Sequence, residues 1–441
     1  MQKLTFLRYL LRALSLLLLF SGCIFMALPA DAQQAGDLIS QNAIPFETAD
    51  DFDELINQAG ERTLVLMGEA SHGTSEFYTQ RAELSKRLIE EKGFNFIAVE
   101  GDWPAMSRIN EYVKHIETGP GTLEEAMNYI NRWPLWMWRN HEVKDLLSWL
   151  HEYNRDLNPD ERVGFYGVDL YAKQDAMGQV ISYLEEIDPD LASRADRNFA
   201  CMTRHGSIQQ YLQMVSQSGE DCSEDFADVL QLVRENTEKG WHFFNAEQNT
   251  KVAMNAEEHY RGNLMRGAQS WNARASHFYL TAERLLSFYG EGSRGIVWAH
   301  NTHIGDARAT DMARQGAHNI GQLAREDLGE ENVFAIGFGT YEGHVLAGRE
   351  WEAEMEVMRT PQARSGSWEE MLEATGLPRF YLIFDNEELN SALQSSIPHR
   401  AIGVTYNPAN ESQGNYVNTI LPDRYNAFVF TRETDILEVL D

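Results

Sequence analysis

The chain has 441 residues, 43% of them hydrophobic and 24% charged, which is enough for one large α/β domain or two ordinary ones. A formal net charge of −30 argues against nucleic acid or an anionic lipid surface as partner and favours solubility. Only three cysteines occur, none in a Cys-x-x-Cys or Cys/His finger spacing, so no structural zinc module is expected.

At the N-terminus, Lys3, Arg8 and Arg12 precede a mostly apolar stretch, and Ala30-Asp31-Ala32 fits a small-x-small cleavage site. Residues 1–32 therefore read as a secretory signal peptide, which makes the mature chain, 33–441, periplasmic or secreted. Phe20-Ser21-Gly22-Cys23 offers an alternative, a lipoprotein signal with a lipid anchor on Cys23. No later stretch reads as a membrane span. In an oxidising compartment Cys201 and Cys222 have the opportunity to pair.

A helix is expected around Asp51–Gln58, then a buried strand at Leu64–Met67. The strand stops at Gly68-Glu69-Ala70-Ser71-His72-Gly73, and Phe77, Tyr78, Leu84 and Leu88 mark a helix from Ser75 to about Glu91. The turn sets a carboxylate and an imidazole three residues apart, between glycines that let the backbone bend and approach a ligand. A second strand, Phe94–Val99, delivers Glu100, Asp102 and Trp103 to its end, and a helix follows through Met106, Ile109 and Val113. Trp133, Trp136 and Trp138 precede a helix at about Glu142–Tyr153 and either wall a pocket or pack between helices. A third strand, Val163–Val168, ends in Asp169.

From about 173 to 290 only helical patterns occur, an all-helical insertion suited to covering a cleft. A fourth strand, Gly295–Ala299, ends in His300-Asn301-Thr302-His303, and later strands are expected at 333–338, 380–384, 402–406 and 427–431. Alternating helices and continuous apolar strands predict an α/β fold, a largely parallel sheet flanked by helices. The closely spaced last strands add some antiparallel edge pairing.

Ligands of open α/β sheets sit beyond the carboxyl ends of the strands, so Glu69, His72, Glu100, Asp102, Asp169, His300 and His303 are expected at one crevice. An imidazole beside a carboxylate suits general-base chemistry. No Gly-x-Ser-x-Gly elbow occurs and no cysteine lies near the cluster, which disfavours a covalent nucleophile. Water activated by a histidine remains, or a metal carrying the water, although the spacing matches no recognised metal signature. A binding module with an aromatic-lined cleft is the non-enzymatic alternative. Arg81, nine residues beyond His72, either reaches back to a carboxylate, stabilises an oxyanion or makes a surface ion pair.

GEASHGTSEFYTQR at 68–81, FIAVEGDWP at 96–104, VGFYGVDLY at 163–171 and VWAHNTHI at 297–304 together resemble the erythromycin esterase family. The resemblance implies a deep cleft under a helical part and hydrolysis of a small-molecule ester or macrolide lactone without an obligatory metal or other cofactor. It makes His72 the base, assisted by Glu69, Glu100, His300 and Arg81, with His303 beside them; Asp169 and Trp103, at the ends of their strands, are further candidates toward the substrate. The family includes antibiotic-resistance enzymes and also members associated with exopolysaccharide synthesis. One departure stands out. The family's Asn-x-Arg-Asp stretch is WNARASHFYL here, keeping Asn272 and Arg274 but placing Ala275 where an acid is expected, with His277 nearby as a cleft candidate.

Overall fold

The computed structural model describes residues 30–235 and 240–440, so Cys23 and nearly all of the leader read at 1–32 lie outside the described residues. Among the described residues eleven strands are found: β1 Ile44–Pro45, β2 Leu64–Met67, β3 Phe96–Asp102, β4 Gly164–Asp169, β5 Gly295–Trp298, β6 Val333–Gly348, β7 Met355–Thr360, β8 Arg379–Ile383, β9 Ile397–Arg400, β10 Tyr416–Thr419 and β11 Ala427–Thr434. Nine form one mixed sheet in the order β1-β8-β11-β6-β2-β5-β3-β4, with β7 pairing β6 off that path. From β11 to β4 all neighbours run parallel. β8 is antiparallel to β11 and to β1, and β7 to β6. The fold is α/β, with a mostly parallel sheet flanked by helices.

Strand β2 shows why the central strands read as unbroken apolar runs. Val65 and Met67 enter a layer with Phe77, Ile97 and Trp298 on one face. Leu64 and Leu66 enter a second layer with Phe96, Tyr166 and Val297 on the other. Burying each such aliphatic side chain contributes about 1.5–3 kcal/mol. Both faces are therefore covered, and only the strand ends are left for polar groups.

The later strands depart from expectation. The run at 402–406 is not a strand; it crosses the ends of the sheet, where the Ile402 N–H donates to the Ala70 carbonyl and the Tyr406 N–H to the Gly348 carbonyl. The strands of that region are β9 and β10, paired in a separate two-stranded sheet. β6 runs ten residues past its apolar start, because the mostly polar and glycine stretch Gly339–His344 and the apolar Val345–Ala347 beyond it continue the pairing with β11 and β7. β7 escaped notice because most of its side chains are exposed.

Between β4 and β5 the described residues form six helices, Lys173–Ile187, Pro189–Thr203, Ile208–Ser218, Ser223–Arg234, Trp241–Gly262 and Gln269–Tyr289. They enclose a core of their own around Leu184, Phe199, Tyr211, Phe226 and Val229. Cys201 and Cys222 are joined there as a disulfide. No helix of the described residues is long and apolar enough to cross a membrane.

Candidate active site

Strands β2, β5, β3 and β4 are parallel neighbours, so their carboxyl ends open on one rim. A cavity of about 480 Å³ lies there, lined by His72, Glu100, Asp102, Asp169, His300 and His303. Trp271 and Arg274, from the last helix of the insertion, supply the facing wall.

The turn after β2 is built tightly. Glu69 is fully buried and receives two partners, His72 Nδ1 at 2.7 Å and Arg81 Nη2 at 2.6 Å. The Arg81 guanidinium is itself buried, over the rings of Tyr78 and Trp298 at 4.5 and 4.7 Å. Arg81 therefore reaches back to the carboxylate and does not line the cavity. The bracketing glycines approach protein and not ligand. A Cβ on Gly68 would stand 2.0 Å from Asn301 Oδ1, and one on Gly73 2.0 Å from the Leu346 carbonyl oxygen.

With Nδ1–H donating to Glu69, neutral His72 carries its free lone pair on Nε2. Burial works against a proton on this ring, yet the Glu69 hydrogen bond and the negative charges of Glu100 and Glu69 win, and the pKa is raised above 6.5.

His300 has the opposite polarity. Its Nδ1 accepts from the Thr302 backbone N–H at 3.2 Å and lies 2.8 Å from the Thr302 hydroxyl. The ring proton then belongs on Nε2, an atom shielded from solvent beside the Ala70 carbonyl, with no hydrogen bond of good geometry among the described residues. Burial, then the neighbouring His72, hold His300 well below 6.5, in the neutral form. The His72 and His300 rings are 5.1 Å apart. Both rings border the cavity, but only His72 turns a free lone pair to it, able to take a proton from water, while the His300 Nε2–H lies shielded beside the Ala70 carbonyl.

Glu100 does not touch His72. Its Oε2 accepts the His300 backbone N–H at 2.8 Å, and its Oε1 meets Arg274 Nη2 at 2.9 Å and His303 Nε2 at 3.3 Å. Burial opposes its ionisation, but His303 and Arg274 hold its pKa well below the ordinary carboxylate range. Arg274 also forks onto Asp169, with Nε at 3.0 Å and Nη2 at 2.6 Å. Asp102 is held from the side by Arg132 Nε at 2.6 Å. His303 stacks on Trp271 at 4.5 Å.

Two candidates fall elsewhere. Trp103 is completely buried, stacked on Tyr166 at 5.6 Å and donating to Asn245 Oδ1 at 2.9 Å, so it packs the helices and does not meet the cavity. His277 is buried against Asn255 Nδ2 at 3.0 Å, away from the cavity, and burial lowers its pKa to about 3. Of the tryptophans before the 141–154 helix, Trp138 lines the cavity and donates to the Glu100 carbonyl at 3.1 Å. Trp136 packs in the core. Arg274 carries more contacts at the site than any residue singled out from the sequence. Its only prior signal was its place in the WNARASHFYL stretch.

A model of the erythromycin esterase family matches residues 89–434. The chain belongs to that family. The matched stretch begins after the His72 turn, so that turn rests on its own geometry. Erythromycin esterase type II of Escherichia coli is 32% identical over 126 residues, 29% of this chain and 28% of that enzyme. The match thus spans little more than a quarter of that relative's length. Among solved structures, a succinoglycan biosynthesis protein aligns with a TM-score of 0.77 at 22% identity, over 94% of this chain and 100% of that one. An erythromycin esterase in its open conformation aligns with a TM-score of 0.62 at 17% identity, over 90% and 96%. At such identities these two likenesses establish the fold. Family membership supports a hydrolase. Among the described residues no group of three or more His, Cys, Asp or Glu side chains is arranged to hold a metal ion.

Proposed function

We propose that the chain hydrolyses an ester or lactone of a small molecule, with His72 as general base and no covalent intermediate. The observation that carries this is the His72 imidazole at the cavity, its Nδ1–H held by Glu69 and its Nε2 lone pair free, with the His300 ring 5.1 Å away. Membership of the erythromycin esterase family supports the ester as the bond attacked.

In the first step His72 Nε2 takes a proton from a water molecule while the water oxygen bonds to the carbonyl carbon. The electron pair of the C=O bond moves to its oxygen, while the His300 ring, beside His72, orients the base and the water. Collapse expels the alcohol oxygen, which takes the proton from the His72 imidazolium. The acid and the alcohol leave, and the ring is neutral again. Glu69 fixes the tautomer of His72 and stabilises its imidazolium, and Arg81 holds Glu69 in place. Glu100 positions the backbone of His300 and, with Asp169, anchors Arg274. Arg274 and Trp271 form the facing wall, and His303 faces the substrate from the strand-end rim.

The test is transient kinetics on aryl esters and lactones after dialysis against chelator. Acid and alcohol should appear together, with no burst of alcohol, and metal addition should change nothing. A burst would establish an acyl-enzyme, and activity restored only by metal would establish a metallohydrolase. Function outside the cytoplasm is part of the same proposal, supported by the Cys201–Cys222 disulfide. Cell fractionation checks it, and a purely cytoplasmic, reduced protein would contradict it.

A further inference from the structure

Next to the catalytic cleft lies a second chamber of about 750 Å³, between the helices Trp103–Val113, Lys173–Ile187 and Trp241–Gly262. The two spaces share Ala105, Tyr129, Asn131 and Asp175, so they meet along a common border. The walls of the second chamber carry an unusual number of side-chain amides, from Asn131, Gln174, Gln179, Asn245 and Asn249.

Three of these amides are locked in orientation by groups that permit only one hydrogen-bond sense. The Pro104 carbonyl can only accept, so Gln179 must give it an N–H (3.0 Å) and turn Oε1 the other way. The Trp103 indole can only donate, so Asn245 must offer it Oδ1 (2.9 Å). Both of those oxygens and the Asn245 carbonyl surround Asn249 Nδ2, at 3.0, 3.0 and 2.9 Å. Flipping the Asn249 amide would set its oxygen against three acceptors, so its orientation is settled too. Its Oδ1 is left buried with no donor among the described residues. An unmet buried acceptor costs about 1–3 kcal/mol, a penalty that a ligand's hydroxyl removes.

Among the described residues the chamber also holds no unbalanced buried charge. Glu111 is met by Arg108 at 2.5 Å and by the Trp241 indole at 3.1 Å, while Asp175 and Glu186 are exposed to solvent. Nothing there selects an ion. Amides that both donate and accept suit hydroxyl groups, which do the same, and the 43%-exposed ring of Tyr129 at the border offers an apolar face for a sugar's C–H groups.

We propose that this chamber is a subsite for a neutral, polyhydroxylated part of the substrate, a sugar unit held through Asn249 Oδ1 while its ester reaches His72. Trp103, which does not meet the catalytic cavity, gains a role in this way, as the donor that orients Asn245 and through it Asn249. The subsite rests on the esterase reading for the position of the ester, but its binding of sugar does not require turnover.

The experiment is titration calorimetry of the whole chain with glucose, galactose, maltose and cellobiose, beside kinetics on 4-nitrophenyl acetate and 6-O-acetylglucose. At least one saccharide should bind saturably, with a Kd raised about tenfold in Asn249→Leu. Tyr129→Ala, at an exposed position where folding is not at stake, should weaken the same saccharide several-fold. In both variants the ratio of kcat/KM for the sugar ester to that for the aryl ester should fall. No saccharide binding, or equal affinity in both variants and the parent, overturns the subsite even if simple esters are hydrolysed. Saccharide binding that responds to both variants, without hydrolysis of either ester, upholds the subsite and refutes the catalytic proposal alone.

Discussion

The molecule contains two buried histidine–glutamate pairs of nearly equal geometry. His72 Nδ1 meets Glu69 at 2.7 Å and His399 Nδ1 meets Glu369 at 2.6 Å. The second pair is sealed in the interior. His399 is 1% exposed, and its Nε2 lies 3.3 Å from the Tyr425 hydroxyl and 3.4 Å from Asn301 Nδ2. Burial lowers its pKa, and Arg424 and Arg400 add to that despite Glu369. His72 instead borders a cavity and faces the negative charge of Glu100, and its pKa is raised. A carboxylate on Nδ1 therefore does not by itself define a catalytic base. What separates the two pairs is access to Nε2 and the sign of the surrounding charge.

The widest separation should come from removing each imidazole. His72→Asn should lower ester hydrolysis about 10²–10⁴-fold with little loss of stability, as read by initial rates and urea unfolding. His399→Ala should leave Glu369 buried without its partner and reduce stability by about 3–5 kcal/mol, while the folded fraction keeps its turnover. If the His399 variant loses turnover at full folding, the two pairs are not distinct in function.

Glu69→Gln should come next. The base must be neutral to act, so kcat/KM should rise with pH through a His72 pKa above 6.5, and the variant should shift that limb toward lower pH and reduce the plateau. An unmoved limb would detach Glu69 from His72.

Stability against pH should carry opposite signs at the two pairs. His72 has a raised folded pKa, so its contribution is complete below 6.5 and is lost as pH rises through the folded value. His399 has a lowered one, so stability is lost as pH falls below 6.5 toward its folded value. Urea midpoints between pH 5 and 8 for single histidine variants, each against the parent, check this; the same sign at both sites would refute it. The smallest effect expected is that of Tyr425→Phe beside His399, about 1 kcal/mol of stability and no change in rate.

The strand ends were legible in the amino-acid order because β2 to β5 are covered on both faces, so their apolar runs stop where the polar residues begin. Glu69, His72, Glu100, Asp169, His300 and His303 could be gathered from that alone. Residues that act through long-range packing could not. Arg274 comes from a helix more than a hundred residues after Asp169, and nothing local marks it as reaching Glu100. Trp103 sits at the end of β3, but the first turn of its helix rotates it inward onto Tyr166. Sequence spacing leaves Arg81 three possible roles, and only the helix Ser75–Lys92 brings it to Glu69. Nothing in the amino-acid order marks the His399 pair, because β9 is short and lies outside the main sheet.

The most direct test is mass-spectrometric profiling of an ester and lactone panel, including acetylated sugars and a macrolide, with the parent protein and His72→Asn side by side. At least one compound should be split by the parent, with the mass of one water added across the products, and stay intact with the variant. Conversion of that compound by His72→Asn at the parent's rate would contradict the assignment of His72 as the base.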